Sequence, residues 1–290
     1  MPRLKTYFTR IEPLRKRYIL ALPGKESLMG LILDAEVGEQ VYNSNAIENS
    51  TLTLEETEKI LLQIDLDRYI GERELFEAKN LARVMSYIEP KSHERPLDKD
   101  MMLLLHTMLM TNIRDSIAGR FRNADEWVRV GSYIAPNPIE IDALLTAMLS
   151  AYSANTQEHI VSRIAAFHLT FERIHPFVDG NGRIGRALNN YLLLREGYVP
   201  MTILFATREV YYAAFHELET KGTQTIMENI VGLALQESYH KRLAYLEGKR
   251  IVTLSEYSKI TNTSLSSLLN KAKRQTIEAF REKSIWKIGI

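Results

Sequence analysis

Residues 175–186 read His175-Pro176-Phe177-Val178-Asp179-Gly180-Asn181-Gly182-Arg183-Ile184-Gly185-Arg186, and the rest of the chain is arranged around this loop. Upstream, Ile160, Ile164, Phe167, His168, Phe171 and Ile174 recur at helical spacing, so a helix runs into the loop. Pro176 biases His175 away from right-handed helical geometry and sets the helix end close to that histidine. Asp-Gly-Asn-Gly supplies residues that tolerate positive φ, so several backbone N–H groups can turn toward one point. Ile184, Ala187, Leu188 and Tyr191 to Leu194 form a second apolar run, read as the helix that begins there. Arg183 and Arg186, three apart, sit on neighbouring positions of its surface.

Free N–H groups at a helix start, with the positive end of the dipole, favour an anion. Two guanidiniums extend that field and bind phosphate oxygens in pairs. Asp179 is a lone carboxylate beside the nest, which suits Mg²⁺, an ion held by one or two carboxylates plus substrate phosphates. His175 stands at the lip with a ring able to accept a proton near neutral pH. Taken singly, each residue also fits a polar turn between two core helices, with solvated arginines and a capping histidine. Together they point to phosphoryl or nucleotidyl transfer to a hydroxyl.

The stretch resembles the signature of the Fic family, His-Pro-Phe-x-Asp/Glu-Gly-Asn-Gly-Arg-x-x-Arg, and no signature position departs from it. The resemblance implies a mainly α fold: a Fic-type helical bundle with a short β-hairpin flap. It implies transfer of AMP from ATP to a protein Ser, Thr or Tyr hydroxyl, with release of pyrophosphate. His175 would take the hydroxyl proton, and Asp179 would hold Mg²⁺ on the α and β phosphates. Gly180, Asn181 and Gly182 would cradle the α-phosphate, Arg183 and Arg186 would face the β and γ phosphates, and Phe177 would anchor the loop.

Composition narrows the alternatives. The chain has 290 residues, 45% of them hydrophobic, enough for a sizeable core, and a net charge of +1 that does not steer the whole molecule toward nucleic acid or anionic membrane. With no cysteine, disulfide frameworks, thiol catalysis and Cys-based zinc sites are excluded. Met1–Phe8 lacks an apolar leader core and no later run approaches a membrane span, so a soluble, cytoplasmic protein with no membrane partner is expected. Neither the Gly-Lys-Ser/Thr end of a Walker A loop nor the His-Arg-Asp and Asp-Phe-Gly pair of protein kinases is present.

Ser44-Asn45-Ala46-Ile47-Glu48-Asn49 reads on its own as a short helix with one exposed glutamate. It resembles the inhibitory motif Ser/Thr-x-x-x-Glu-Gly/Asn of the Fic family, carried by Ser44, Glu48 and Asn49. By that likeness Glu48 would pair with Arg186 and occupy the space of the ATP γ-phosphate. The same carboxylate could orient a water for removing AMP from a modified target. Thr53-Leu54-Glu55-Glu56 is a capping box opening a helix through roughly residue 63. A further helix is expected from about residue 72 to 88, with Pro90 and Pro96 bracketing a polar connection. Residues 97 to about 113 form a strongly apolar helix whose methionines pack, and whose His106 is a core or shelf histidine.

Alternation at Val128 and Val130, then Gly131-Ser132-Tyr133, predicts a short hairpin. In the Fic family a hairpin here, the flap, holds the target segment by strand addition, which would give Val128, Val130 and Tyr133 a docking role. Helices are expected from Pro138 to about residue 152, from Thr207, where one of two adjacent tyrosines could stack on adenine, and from Thr225 to about residue 246. Three parts follow: residues 1–70, a helical region carrying the inhibitory motif; residues 71–246, the catalytic core; and residues 251–290, a module loosely resembling a winged helix-turn-helix. From Lys271 onward this tail has six basic residues and two glutamates, so DNA contact or target docking are both readings, as is a nucleotide-sensing regulator. A second copy of the chain is a further candidate partner.

Overall fold

The computed structural model describes residues 6–131 and 133–290, with side chains from residue 9 onward. Residues 1–5 of the stretch read for a leader, and Ser132 of the expected hairpin, lie outside the described residues. The helices in chain order are α1 (Thr6–Ala21), α2 (Glu26–Ile47), α3 (Leu54–Leu61), α4 (Glu72–Glu94), α5 (Lys99–Met110), α6 (Ile141–Ala154), α7 (Ile160–Ile174), α8 (Asn181–Arg195), α9 (Arg208–Lys221), α10 (Thr225–Leu246), α11 (Leu254–Thr261) and α12 (Leu265–Lys273). The strands are β1 (Arg129–Val130), β2 (Tyr133–Ile134), β3 (Ile251–Thr253), β4 (Ala279–Glu282) and β5 (Ile285–Gly289). The architecture is mainly α, as the sequence implied, and no helix of the described residues is long and apolar enough to cross a membrane.

Local signals account for most boundaries. Thr53 and Glu56 close the expected capping box on α3, and Asp98 caps α5 by accepting from Met101 N–H. Two expectations are corrected. Pro90 does not end α4, which runs on to Glu94. Proline removes one intrahelical bond, but side chains of α8 tie down the exposed carbonyls beyond it. Tyr191 Oη donates to the carbonyls of Lys91 and Arg95, and Arg195 donates to that of Ser92. Residues 44–47 are not a short helix either; they are the last turn of the 22-residue α2. Glu48 follows as a turn residue, and Asn49 leaves it with a left-handed φ of 69°.

The chain divides into two compact units. Residues 37–198 and 203–228 form one, residues 1–36, 199–202 and 229–290 the other. In the first, α7 and α8 are the buried pair. Ile164, Phe167, Phe171, Ile184, Leu188 and Leu193 are all at most 2% exposed, and α8 is buried nearly all round. A helix with no solvent face belongs to the centre of a unit, so the loop between α7 and α8 is fixed at both ends by core. Asn80 of α4 donates to the carbonyls of Leu109 and Thr111 and so closes the end of α5 beside that loop.

In the second unit the tail folds as strand, helix, helix and hairpin, with antiparallel sheet order β3-β5-β4. Val252, Leu254, Leu268, Ala272, Ala279 and Ile288 make its core. Its basic end is partly neutralised locally: Arg281 binds Glu237 through two nitrogens and stacks on Trp286, and Lys287 pairs with Glu282.

Candidate active site

His175 ends α7 in the left-handed region (φ 49°, ψ 61°), with its N–H still bonded to Phe171 carbonyl at 2.9 Å. The residue before Pro176 thus avoids the right-handed region as expected, by turning left-handed instead of extended. Arg122, which the sequence reading passed over, holds this conformation. It is 3% exposed, and its guanidinium donates to the carbonyls of His175 (2.8 Å), Glu126 (2.9 Å), Pro136 (3.1 Å) and Ile174 (3.4 Å). Its own N–H bonds to Pro176 carbonyl. Four carbonyls around one planar cation form a clip that the surrounding residues Gly119-Arg120-Phe121 did not advertise.

Phe177 is fully buried, stacked on His106 at 3.8 Å between centroids and in contact with Phe121. His106 is the shelf it was expected to be. Its Nδ1 accepts from Gly119 N–H (3.1 Å), so its Nε2–H donates to Asp179 carbonyl (3.0 Å). Burial pushes its pKa down to about 4, which keeps it neutral. Asn181 accepts from Phe177 N–H at 2.9 Å and donates to Phe177 carbonyl at 2.8 Å. Its side chain therefore braces the loop, and what it offers an anion is its backbone N–H. Gly180, at φ 83°, turns the chain into α8, and the N–H groups of Asn181, Gly182 and Arg183 have no partner within the first helical turn.

The His175 ring lies mostly buried beside α7, where Nδ1–H donates to Glu172 carbonyl at 3.2 Å. That leaves Nε2 as the acceptor. Burial pushes the ring's pKa down to about 4, so it is a neutral base at physiological pH. Glu172, also missed, is buried one turn earlier, its Oε2 3.8 Å from the same Nδ1 and its Oε1 without a hydrogen-bond partner. Burial pushes Glu172 up to about 8, against the pull of Arg186. Gly185 makes the room: a Cβ there would overlap Glu172 Oε1 and press on Phe171 and His168.

Arg186 is buried and held from several sides. Nε donates to Ser44 Oγ (2.9 Å), and Nη2 to Ser44 carbonyl (2.8 Å) and to Glu48 Oε1 (2.8 Å). Nη1 donates to Tyr211 Oη at 3.4 Å, and Tyr211 Oη shares a 2.8 Å hydrogen bond with His168 Nε2. Burial alone would lower the Arg186 pKa, but Glu48, with Tyr211 and Glu172, outweighs it and the pKa is raised. The Glu48 carboxylate also lies over the start of α8, since a Cβ on Gly182 would overlap it. Of the two tyrosines, Tyr211 is part of this buried network, which leaves the half-exposed Tyr212, whose hydroxyl donates to Ile47 carbonyl at 3.0 Å.

Asp179 sits opposite. Its Oδ1 accepts from Gly180 N–H (2.6 Å) and Arg183 (3.1 Å), its Oδ2 from Arg73 of α4 (3.1 Å). Burial would raise its pKa, but Arg183, Gly180 and Arg73 together hold it below the usual carboxylate value. Arg183 also pairs with Glu77 of α4 at 3.1 Å. Among the described residues no group of three or more His, Asp or Glu could hold a metal. A lone ionised carboxylate with one outward oxygen instead suits a cation that brings phosphate ligands with it.

The hairpin forms as two residue pairs, Arg129 with Ile134 and Val130 with Tyr133, closed by Ala135 N–H on Val128 carbonyl. Val130 and Ile134 are exposed, and Tyr133 receives Arg173 over its ring at 5.7 Å.

Comparison with known proteins supplies the relationship. The Fic/DOC family model matches residues 96–193. The protein adenylyltransferase Fic of Drosophila willistoni is 30% identical over 230 residues, 73% of this chain and 45% of that protein. The chain thus spans less than half the length of the curated relatives it matches. A Fic domain containing signaling protein from Bacteroides thetaiotaomicron superposes with a TM-score of 0.74 at 23% identity, covering 83% of this chain and 97% of that one. A Fic family protein from Desulfovibrio desulfuricans gives 0.68 at 20% identity, over 99% of this chain and 97% of that one, which extends the likeness of fold to nearly the whole chain.

Proposed function

The chain carries a Fic/DOC family domain, and on that premise we propose that it is a protein adenylyltransferase restrained by its own Glu48. The observation that carries this is a neutral, acceptor-ready His175 beside a helix start that is flanked by Arg186 and Asp179. The hydroxyl oxygen of a target Ser, Thr or Tyr bonds to the α-phosphorus of ATP. The bond from that phosphorus to the α–β bridging oxygen breaks, and pyrophosphate leaves. The hydroxyl proton passes to His175 Nε2, while Nδ1–H stays on Glu172 carbonyl and fixes the ring. Backbone N–H groups of Asn181 to Arg183 meet the charge on the α-phosphate. Arg186 faces the distal phosphates once Glu48 has left. Mg²⁺, held by Asp179, would neutralise phosphate charge.

Glu48 is the inhibitory residue of this scheme because it takes both the guanidinium and the space above Gly182 that a terminal phosphate needs. Ser44 accepts from the same guanidinium, and Asn49, left-handed, closes the turn that carries Glu48. Val128, Val130 and Tyr133 serve target docking: an extended segment adding to the edge of so short a hairpin is positioned by backbone bonds, with little demand on its side chains. A second activity, removal of AMP from a modified target, is favoured by one detail. Arg186 engages only Oε1 of Glu48, so Oε2 is placed to orient a water. Residues 1–70, 71–246 and 251–290 are the corresponding regulatory, catalytic and accessory parts, the last read as a docking module.

The test is incubation of the Glu48→Gly chain with ATP labelled at the α or the γ position. Protein should keep label only from the α position, and Glu48→Gly,His175→Ala should lose it while still binding ATP. Label from the γ position, or from neither in a folded Glu48→Gly chain, overturns the proposal.

A further inference from the structure

The two oxygens of Asp179 are treated unequally. Oδ1 is committed inward, to Gly180 N–H and to Arg183, whose side chain is 4% exposed. Oδ2 is held by Arg73, whose side chain is 65% exposed and rises from the first turn of α4. Arg73 also donates from Nε to Glu77 Oε1 at 3.1 Å, the same oxygen that Arg183 approaches at 3.1 Å. Two guanidiniums and two carboxylates therefore alternate around a square. Three corners are tied into buried structure. Only Arg73 can leave without stranding a buried charge, and Glu77, one helical turn along, is where it would rest.

We propose that Arg73 is a placeholder cation at the metal seat of Asp179, holding Oδ2 until a divalent cation arrives with the triphosphate and displaces it onto Glu77. This rests on the nucleotidyl-transfer reading above. The physical grounds are charge and hardness. A carboxylate oxygen at the mouth of a phosphate site needs a positive neighbour when the site is empty. A divalent ion is the stronger partner for it once phosphate oxygens complete its shell. An exposed guanidinium–carboxylate pair shifts an equilibrium by about fivefold or less, so Arg73 lowers cation affinity mildly without blocking it. The site is then capped at both charged ends from outside residues 96–193: Glu48 stands where an anion goes, Arg73 where a cation goes.

Mn²⁺ is the probe, read by the loss of its free-ion paramagnetic resonance signal on titration into the full chain carrying Glu48→Gly with a non-hydrolysable ATP analogue. Arg73→Ala should tighten Mn²⁺ binding by about two- to fivefold, Arg73→Lys by less, and in an Asp179→Asn chain Arg73→Ala should change nothing. Unchanged or weaker binding in Arg73→Ala overturns the placeholder, as does a gain that persists in Asp179→Asn. AMP transfer is not part of the readout. A chain that binds Mn²⁺ and nucleotide but labels no protein loses the transferase reading and keeps this one, whereas a chain that binds no nucleotide loses both.

Discussion

Two buried arginines, one in each unit, meet their carboxylates on different terms. Arg242 donates from both terminal nitrogens to Glu36, at 3.3 and 2.5 Å, and Lys241 adds a contact to the same carboxylate at 3.2 Å. Glu36 is nearly as buried as its partner. Arg186 is as deeply placed, but its carboxylate is one oxygen of Glu48, whose side chain is 37% exposed and stands at the end of a helix. The neighbouring Glu172 stays protonated and does not pair with it. A buried cation with a buried, bidentate partner is scaffold. One whose partner is partly exposed and held through a single oxygen is, on the proposed reading, open to exchange of that partner for a phosphate.

Stability measurements should separate the two most widely. Arg242→Met leaves Glu36 buried with a single remaining partner and should cost about 3–5 kcal/mol in urea denaturation. Glu48→Ala leaves Ser44 on the guanidinium and opens the space of a 37% exposed side chain to water, so it should cost less, about 1.5–3 kcal/mol, and added ATP should offset it through binding to the native state. Equal losses, or ATP rescue of the Arg242 variant, would break the contrast.

Glu172 sharpens it next. The unfolded chain ionises this carboxyl near 4.5, whereas the native state keeps its proton to about 8. Between those values the native state binds more protons, so this group's contribution is fully present below about 4.5 and is lost as pH rises, by roughly 1.4 kcal/mol per pH unit. Glu172→Gln should remove that decline between pH 5 and 8. An unaltered slope would mean the carboxyl is already ionised, and the two arginines would then be less different than they look.

The smallest effect belongs to Tyr212, whose hydroxyl secures the turn that carries Glu48 through Ile47 carbonyl. Tyr212→Phe should change stability by about 1 kcal/mol or less and raise AMP labelling a few-fold in the otherwise unaltered chain. It should add nothing once Glu48 is Gly. A gain in that background as well would place Tyr212 at the nucleotide and not at the restraint.

Much of the site was legible because its chemistry is local. Twelve consecutive residues carry the proposed base, the turn, the helix start and both motif arginines, and helical periodicity on either side gives the frame. The capping box at Thr53 and the span of α10 could be read for the same reason. What escaped was mostly brought in by other elements; Glu172 lies on α7 itself, but its surroundings depend on Gly185 of α8. Arg122 lies in a stretch that reads as a hairpin approach, Arg73 and Glu77 look like an ordinary surface pair, and Glu172 sits in an apolar helix as a stray carboxyl. Pro90 reads as a stop signal, yet α4 runs past it to an end whose carbonyls side chains of α8 hold.

The order of residues alone decided the helical class, the loop, and which side chains bear charge or accept a proton, since these depend on spacing along one or two turns. Tertiary structure decided what those charges face. Whether a guanidinium or carboxylate is buried, paired once or twice, or covered by a replaceable neighbour depends on groups more than a hundred positions away, as with Arg186 and Glu48 or Asp179 and Arg73. Electrostatic energies follow distance in space and exclusion of water, and neither is a function of distance along the chain.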